Sequence, residues 1–140
     1  MESLLSIIED NNIDLDFTDL PKNESASFLY KGKCYIAIDR NLSGNDLRVH
    51  EAHELGHCIT GAFYNMYSPY DVRGKHERHA DEWAITQLVP EHDYLAAVKG
   101  GVRTVAEFAE EFSITEQFAR KVIAYYRSKL SSDGSDDEVY

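Results

Sequence analysis

One hundred and forty residues make one domain of ordinary size, long enough to bury a core without disulfides or an obligatory second domain. Apolar residues form 43% and charged residues 28% of the chain, a globular balance, and no apolar run reaches the roughly 18 residues of a membrane span. Fourteen bases against 25 acids leave a net charge of −11, which repels phosphate backbones and anionic membranes and puts a nucleic-acid role at a disadvantage. Met1-Glu2-Ser3 is acidic and leads into no long apolar stretch, so no secretory signal is expected and the cytoplasm is the default compartment. Cys34 and Cys58 are too few and too far apart for a disulfide framework or a metal knuckle, so each reads as a reduced, partly buried thiol.

The acidity is uneven. Residues 1–24 carry net −6 and residues 131–140 carry net −4, which leaves 25–130 at −1. In chain order, Leu4, Leu5, Ile7 and Ile8 share a helical stripe that the Asn11-Asn12 pair and the Asp-rich run to Pro21 bring to an end. Two β-prone stretches, 25–30 and 33–38, flank Lys31-Gly32, the spacing of a two-residue hairpin. Ser43, with Asp46 three residues later, starts a helix that runs to about Gly61. Residues 61–74 have loop composition, and a second central helix covers about 75–88 before Pro90. A short helix to Lys99, the breaker Gly100-Gly101, and helices at about 104–112 and 115–130 follow. The tail 131–140 lacks period and apolar content and is expected to be disordered.

Chemistry concentrates on the first central helix. His53-Glu54-Leu55-Gly56-His57 is an HExxH motif in the helical context it requires. Residues four apart on a helix project from one face, so His53 and His57 can hold one tetrahedral Zn²⁺ through imidazole nitrogens. Glu54 stands beside them, placed to take a proton from a metal-bound water but badly placed as a third ligand. Twenty residues after His57 comes Glu77, with Asp81 four further on the same helix face. Glu77 can complete the ligand set while Asp81 accepts a hydrogen bond from a ligand imidazole. Three protein ligands leave the fourth position open for water, as catalytic zinc sites do.

The competing reading makes His53 and His57 surface histidines and Glu77 an exposed acid. The ExxxD pair at this distance, on a second predicted helix, outweighs it. His50 can line the same cleft but reads better as a solvated residue of the first helical turn. His76, His79 and His92 read as surface residues, Cys58 as core packing and Cys34 as a buried strand residue.

His53-Glu54-Leu55-Gly56-His57, then Glu77-Arg78-His79-Ala80-Asp81-Glu82-Trp83-Ala84, then Gln87-Leu88-Val89-Pro90, resemble the ImmA/IrrE family of metallopeptidases in order and spacing over residues 25–92. Trp83 stands where the family usually has Phe. The resemblance implies an α+β fold, a mostly helical zincin-like domain with a small antiparallel sheet or hairpin before the HExxH helix. It further implies a single metallopeptidase domain over 1–130, with a catalytic core at 25–92 and a C-terminal helical pair at 104–130. His53, His57 and Glu77 would be ligands of one Zn²⁺ per chain, or of another divalent metal, and Glu54 the general base. Resemblance alone implies the substrate, a transcriptional repressor of a phage, mobile element or stress regulon. A donor to the oxyanion is sought among Tyr67, Tyr70, Arg73 and His76, with no choice among them. A substrate peptide is expected to extend along 33–38 as an added strand.

The second class of function is a DNA- or partner-binding regulator with a non-catalytic metal site. The C-terminal pair reads somewhat like a helix-turn-helix, and residues 115–130 carry a local +3. An α-hairpin packing Val105, Phe108, Phe112, Ile114, Phe118, Val122 and Tyr126 against the metal-site helices is preferred, because an amphipathic pair is more often core than a groove reader. Neither a membrane nor nucleic acid is the expected partner; a protein substrate is.

Overall fold

The computed structural model describes residues 3–63 and 70–132. They divide into two compact units, one ending at Ala84 and one beginning at Ile85. The fold is mostly helical α+β, with six helices and one three-stranded sheet among the described residues.

The first unit is built around an alternation. Strand β3 (Lys33–Asp39) buries Cys34, Ile36 and Ile38 and leaves the residues between them partly exposed, the period of two that puts one face of a strand on a core. Its antiparallel neighbour β2 (Ser25–Tyr30) pairs Ser25 with Ile38 and Ser27 with Ile36, so both serines share the face of the buried isoleucines. The expected hairpin turn is present: Lys31 (φ 49°) and Gly32 (φ 78°) both take positive φ, as a two-residue turn matched to strand twist requires.

A third strand was not legible. β1 (Asp14–Thr18) lies parallel to β3 on its other side, so the sheet order is β1-β3-β2 and the sheet is mixed. Its Asp-rich composition hid it, since Asp is depleted in strands and here occupies an edge. The central place of β3 also corrects the expected path of a substrate. Among the described residues, 35–38 are paired on both sides, and β2 is an edge strand.

Helix α1 (Leu4–Asp10) buries Ile7 and half-buries Leu4 and Ile8 against the sheet core, while Leu5, expected on the same stripe, is 64% exposed. Helix α2 (Gly44–Thr60) carries the HExxH motif and ends at Gly61 as predicted. Helix α3 (Tyr70–Leu88) begins about a turn and a half earlier than its composition suggested, with Gly74 inside it. Isolated glycine costs a helix about 1 kcal/mol relative to Ala, which other residues of the helix can offset.

The two cysteines depart from expectation: Cys34 of β3 and Cys58 of α2 are joined in a disulfide, with Cα atoms 5.9 Å apart. Their separation of 24 residues carried no sign of this, because packing α2 on the sheet is what brings them together.

The second unit contains the end of α3 with helices α4 (Glu91–Lys99), α5 (Val105–Phe112) and α6 (Glu116–Ser132). Thr104 opens α5 with a reciprocal capping box, accepting from Glu107 N at 3.1 Å while Glu107 Oε1 accepts from Thr104 N at 2.9 Å. Tyr94 stacks on Phe108 and on Tyr126, with ring centroids 5.4 and 4.6 Å apart, and the buried Tyr126 hydroxyl donates to the Val89 carbonyl. Phe108, Ile114, Phe118, Val122 and Tyr126 are buried in this unit; Val105 and Phe112 are half-buried. The expected tail begins inside α6, and residues 133–140 lie outside the described residues.

Candidate metal centre

Helices α2 and α3 can place their side chains around one point because they meet at a glycine. A Cβ on Gly56 would stand 2.5 Å from the Ala80 carbonyl oxygen and 3.0 Å from its Cα, both rigid backbone atoms. Gly56 and Ala80, the latter fully buried, therefore set the contact between the helices. One turn either way along this crossing stand His53 and Glu77.

His53, His57 and Glu77 each offer one ligand atom, and these atoms lie within 4.8 Å of one another. Glu77 Oε2 is 3.0 Å from His57 Nε2 and 3.4 Å from His53 Nε2. The other nitrogen of each ring is occupied: His53 Nδ1–H donates to Asp81 Oδ1 at 2.8 Å, and His57 Nδ1–H donates to the Ala62 carbonyl. These two bonds fix both neutral tautomers with an Nε2 lone pair aimed at the same space as Glu77, the arrangement a metal requires of imidazole ligands. The Ala62 carbonyl is available because α2 stops at Gly61.

Charge makes the same point from the other side. Burial opposes protonation of His53, but hydrogen bonds to Asp81 and Glu77 override it and push its pKa up to about 10. His57 is likewise raised, with burial opposed by its bonds to Glu77 and Ala62. Hydrogen bonds from both histidines hold the Glu77 carboxyl well below the usual carboxylate range. Protons on the imidazoles thus do what a cation would do between two nitrogens and a carboxylate. The donor set of two imidazoles and one carboxylate fits a divalent metal ion.

Glu54 points into the cleft beside this cluster, which Ser25, Ser27, His57, Phe63 and Glu77 also line, and which encloses about 250 Å³. It is buried, at 6% exposure, and accepts hydrogen bonds from Ser25 and Ser27.

The donor expected for an oxyanion is not resolved to one residue. Tyr67 and the side chain of Tyr70 lie outside the described residues. Arg73 and His76 sit on α3, four residues and one residue before Glu77, and both are half-buried. His79 is exposed as expected, as is His92, which pairs with Asp93. His50 differs from its expected solvated position: it is half-buried and bonds to Ser25.

Ser25 and Ser27 are the functional-site residues that the sequence did not single out. Their signal was faint: two small polar residues at the inward register of a strand that shortly precedes the motif helix.

A family model for the IrrE N-terminal-like domain, a peptidase family, matches residues 8–123. No curated protein matches the chain.

Proposed function

The chain belongs to the IrrE N-terminal-like family of metallopeptidase-type domains, and from that premise we propose that it is a zinc-dependent endopeptidase. The observation that carries this reading is the convergence of His53, His57 and Glu77 within 4.8 Å, with the buried carboxylate of Glu54 lining the same cleft. A structural metal site has no use for a carboxylate that lines the open cleft without holding a ligand; a hydrolase does.

Zn²⁺ held by these three residues would polarise a peptide carbonyl and lower the pKa of a coordinated water from about 15.7 toward 7. The chain's own residues supply the rest. Asp81 and the Ala62 carbonyl hold the imidazoles in the ligating tautomer. Glu54, which lines the cleft outside the group of three ligand atoms, takes the proton of the attacking water and passes it to the leaving amine. β2, an edge strand of the described sheet whose Ser25, Ala26 and Ser27 line the cleft, offers its outer backbone groups to an extended peptide. Such pairing holds the main chain and leaves sequence choice to the flanking side chains.

The substrate we propose is a transcriptional repressor. The family resemblance supports this choice. No helix among the described residues is long and apolar enough to cross a membrane. A DNA-binding reading of the C-terminal pair gains no support. Phe108, Phe118, Val122 and Tyr126 are buried in the second unit, and two of the bases on α6 face carboxylates, Lys129 on Glu91 at 2.9 Å and Arg120 on Glu116 at 4.0 Å.

The test is metal analysis plus incubation with a candidate repressor, with fragments read by mass spectrometry. Wild type is expected to carry about one zinc per chain and to cut at a defined bond. Glu54→Gln is expected to keep the zinc and lose cleavage by roughly 10²–10⁴-fold. Equal cleavage by the two proteins would remove Glu54 from the mechanism.

A further inference from the structure

A carboxylate buried beside a metal site must be held in one orientation, and in this chain two serines do so. Ser27 Oγ donates to Glu54 Oε1 at 2.7 Å, and Ser25 Oγ donates to Glu54 Oε2 at 2.8 Å. Both oxygens are engaged, one hydroxyl to each. Behind them, His50 Nδ1 lies 2.6 Å from Ser25 Oγ. A serine hydroxyl has one proton, and Ser25 gives it to Glu54; the contact to His50 then requires Nδ1–H to donate. The chain of bonds has one direction, from His50 through Ser25 to Glu54.

The fold makes this arrangement possible through strand periodicity. Ser25 and Ser27 are two apart on β2 and face the helices, while Ala26 between them is exposed. Their cross-strand partners Ile38 and Ile36 are buried, which fixes the register of the serines under α2.

We propose that Ser25 and Ser27 are positioning residues for Glu54, with His50 orienting Ser25. This rests on the reading of Glu54 as the proton acceptor of a metallopeptidase. An ionised carboxylate has about four lone-pair sites, so two serine bonds leave each oxygen one site for the water whose proton it takes. Without the hydroxyls, the last torsion of a glutamate is broad and roughly two-fold, and the carboxylate turns away from that water. The serine hydroxyls bond Glu54 and not a candidate metal ligand, so their effect on the reaction is read through Glu54.

The experiment compares wild type, Glu54→Gln, Ser25→Ala, Ser27→Ala, the double Ser25→Ala/Ser27→Ala variant, and Ser27→Thr. Three quantities are read: zinc per chain, kcat and KM on fluorescence-quenched casein, and the pH midpoint of the visible absorption band after Co²⁺ substitution. The double variant is expected to keep its metal and to lose about 10–100-fold in kcat, the range for groups that orient a metal site from behind. Ser27→Thr, which restores a hydroxyl, is expected to recover most of the loss seen in Ser27→Ala. The cobalt midpoint is expected to move in the double variant in the same direction as in Glu54→Gln, and it decides the matter even if casein is not cut. Wild-type kcat and midpoint in the double variant would overturn the proposal, because serines that merely fill a structural role leave both unchanged. A Glu54→Gln protein with a wild-type midpoint would overturn the reading of Glu54 itself, and the positioning role with it. If the double variant does not fold, the two single variants carry the same comparison.

Discussion

The two ends of α3 belong to different kinds of protein interior. Its first half joins a unit whose buried positions include a carboxylate and an imidazole, Glu54 and His57, both tied by hydrogen bonds. Its last turn joins a unit whose buried side chains are Ile85, Leu88, Val89, Tyr94, Phe108, Phe118, Val122, Tyr126 and other apolar residues, with the Tyr126 hydroxyl satisfied by a carbonyl. Buried polar groups cost stability unless each finds a partner, so a chain keeps them where chemistry needs them. The buried residues described in the second unit are apolar, whereas the first unit buries Asp39 at the end of β3 and Glu54 and His57 at the cleft. Of those three, Asp39 is tied to backbone and to Asn41, and only Glu54 and His57 line an open cleft.

Four changes test the contrast, from the largest expected effect to the smallest. His57→Ala removes a candidate ligand from the first unit, and metal content measured after purification is expected to fall from about one ion per chain to almost none, with cleavage lost. A variant that keeps a full complement of metal would show that His57 is not a ligand. Phe118→Ala empties a fully packed place in the second unit and is expected to cost about 3–5 kcal/mol in denaturant unfolding. If the two units carry separate tasks, the variant's metal content at low temperature stays at the wild-type value.

Gly56→Ala acts where α2 touches α3. The added methyl meets backbone at 2.5 Å, so the helices must part, at a cost of about 1–3 kcal/mol and with weakened metal affinity. Calorimetry and a competitive chelator titration read the two effects, and wild-type values in both would deny that the close approach sets the site. The smallest change is one of pH in chelator-treated protein. His53 is raised from 6.5 to about 10, so its stabilising contribution is complete below pH 6.5 and is lost as pH rises through 10. Glu77 is lowered from 4.5, so its contribution is present above pH 4.5 and is lost as pH falls below that. The melting temperature of the metal-free protein is therefore expected to fall by several degrees from pH 6.5 to 10. In the metal-loaded protein, where a cation replaces those protons, the fall over the same window is expected to be smaller. Equal slopes would break the link between the proton cluster and the metal position.

Much of the site was legible because its ligands are written on helices. His53, His57, Glu77 and Asp81 lie at spacings of four on two predicted helices, and helix geometry converts that spacing into a shared face with no further information. The C-terminal helices were legible for the same reason, with Thr104 and Gly100-Gly101 marking their limits. What failed to show was whatever depends on a partner distant in sequence. β1 has the composition of a loop and is a strand because β3 pairs with it. The serines are ordinary strand residues until α2 is laid over them. Cys34 and Cys58 looked like separate thiols, and only the packing of α2 on β3 makes them a disulfide.

The sequence by itself determined the candidate ligand set, the family and the order of helices, because each of these is a local pattern. The tertiary structure decided which strand lies at the edge of the described sheet, which glycine lets two helices approach, and which hydroxyls bond the Glu54 carboxylate. Those depend on distances between segments, and such distances exist only after apolar faces have been buried together. The net charge of −11 with which the chain is first met belongs mostly to its ends, and it had no part in either.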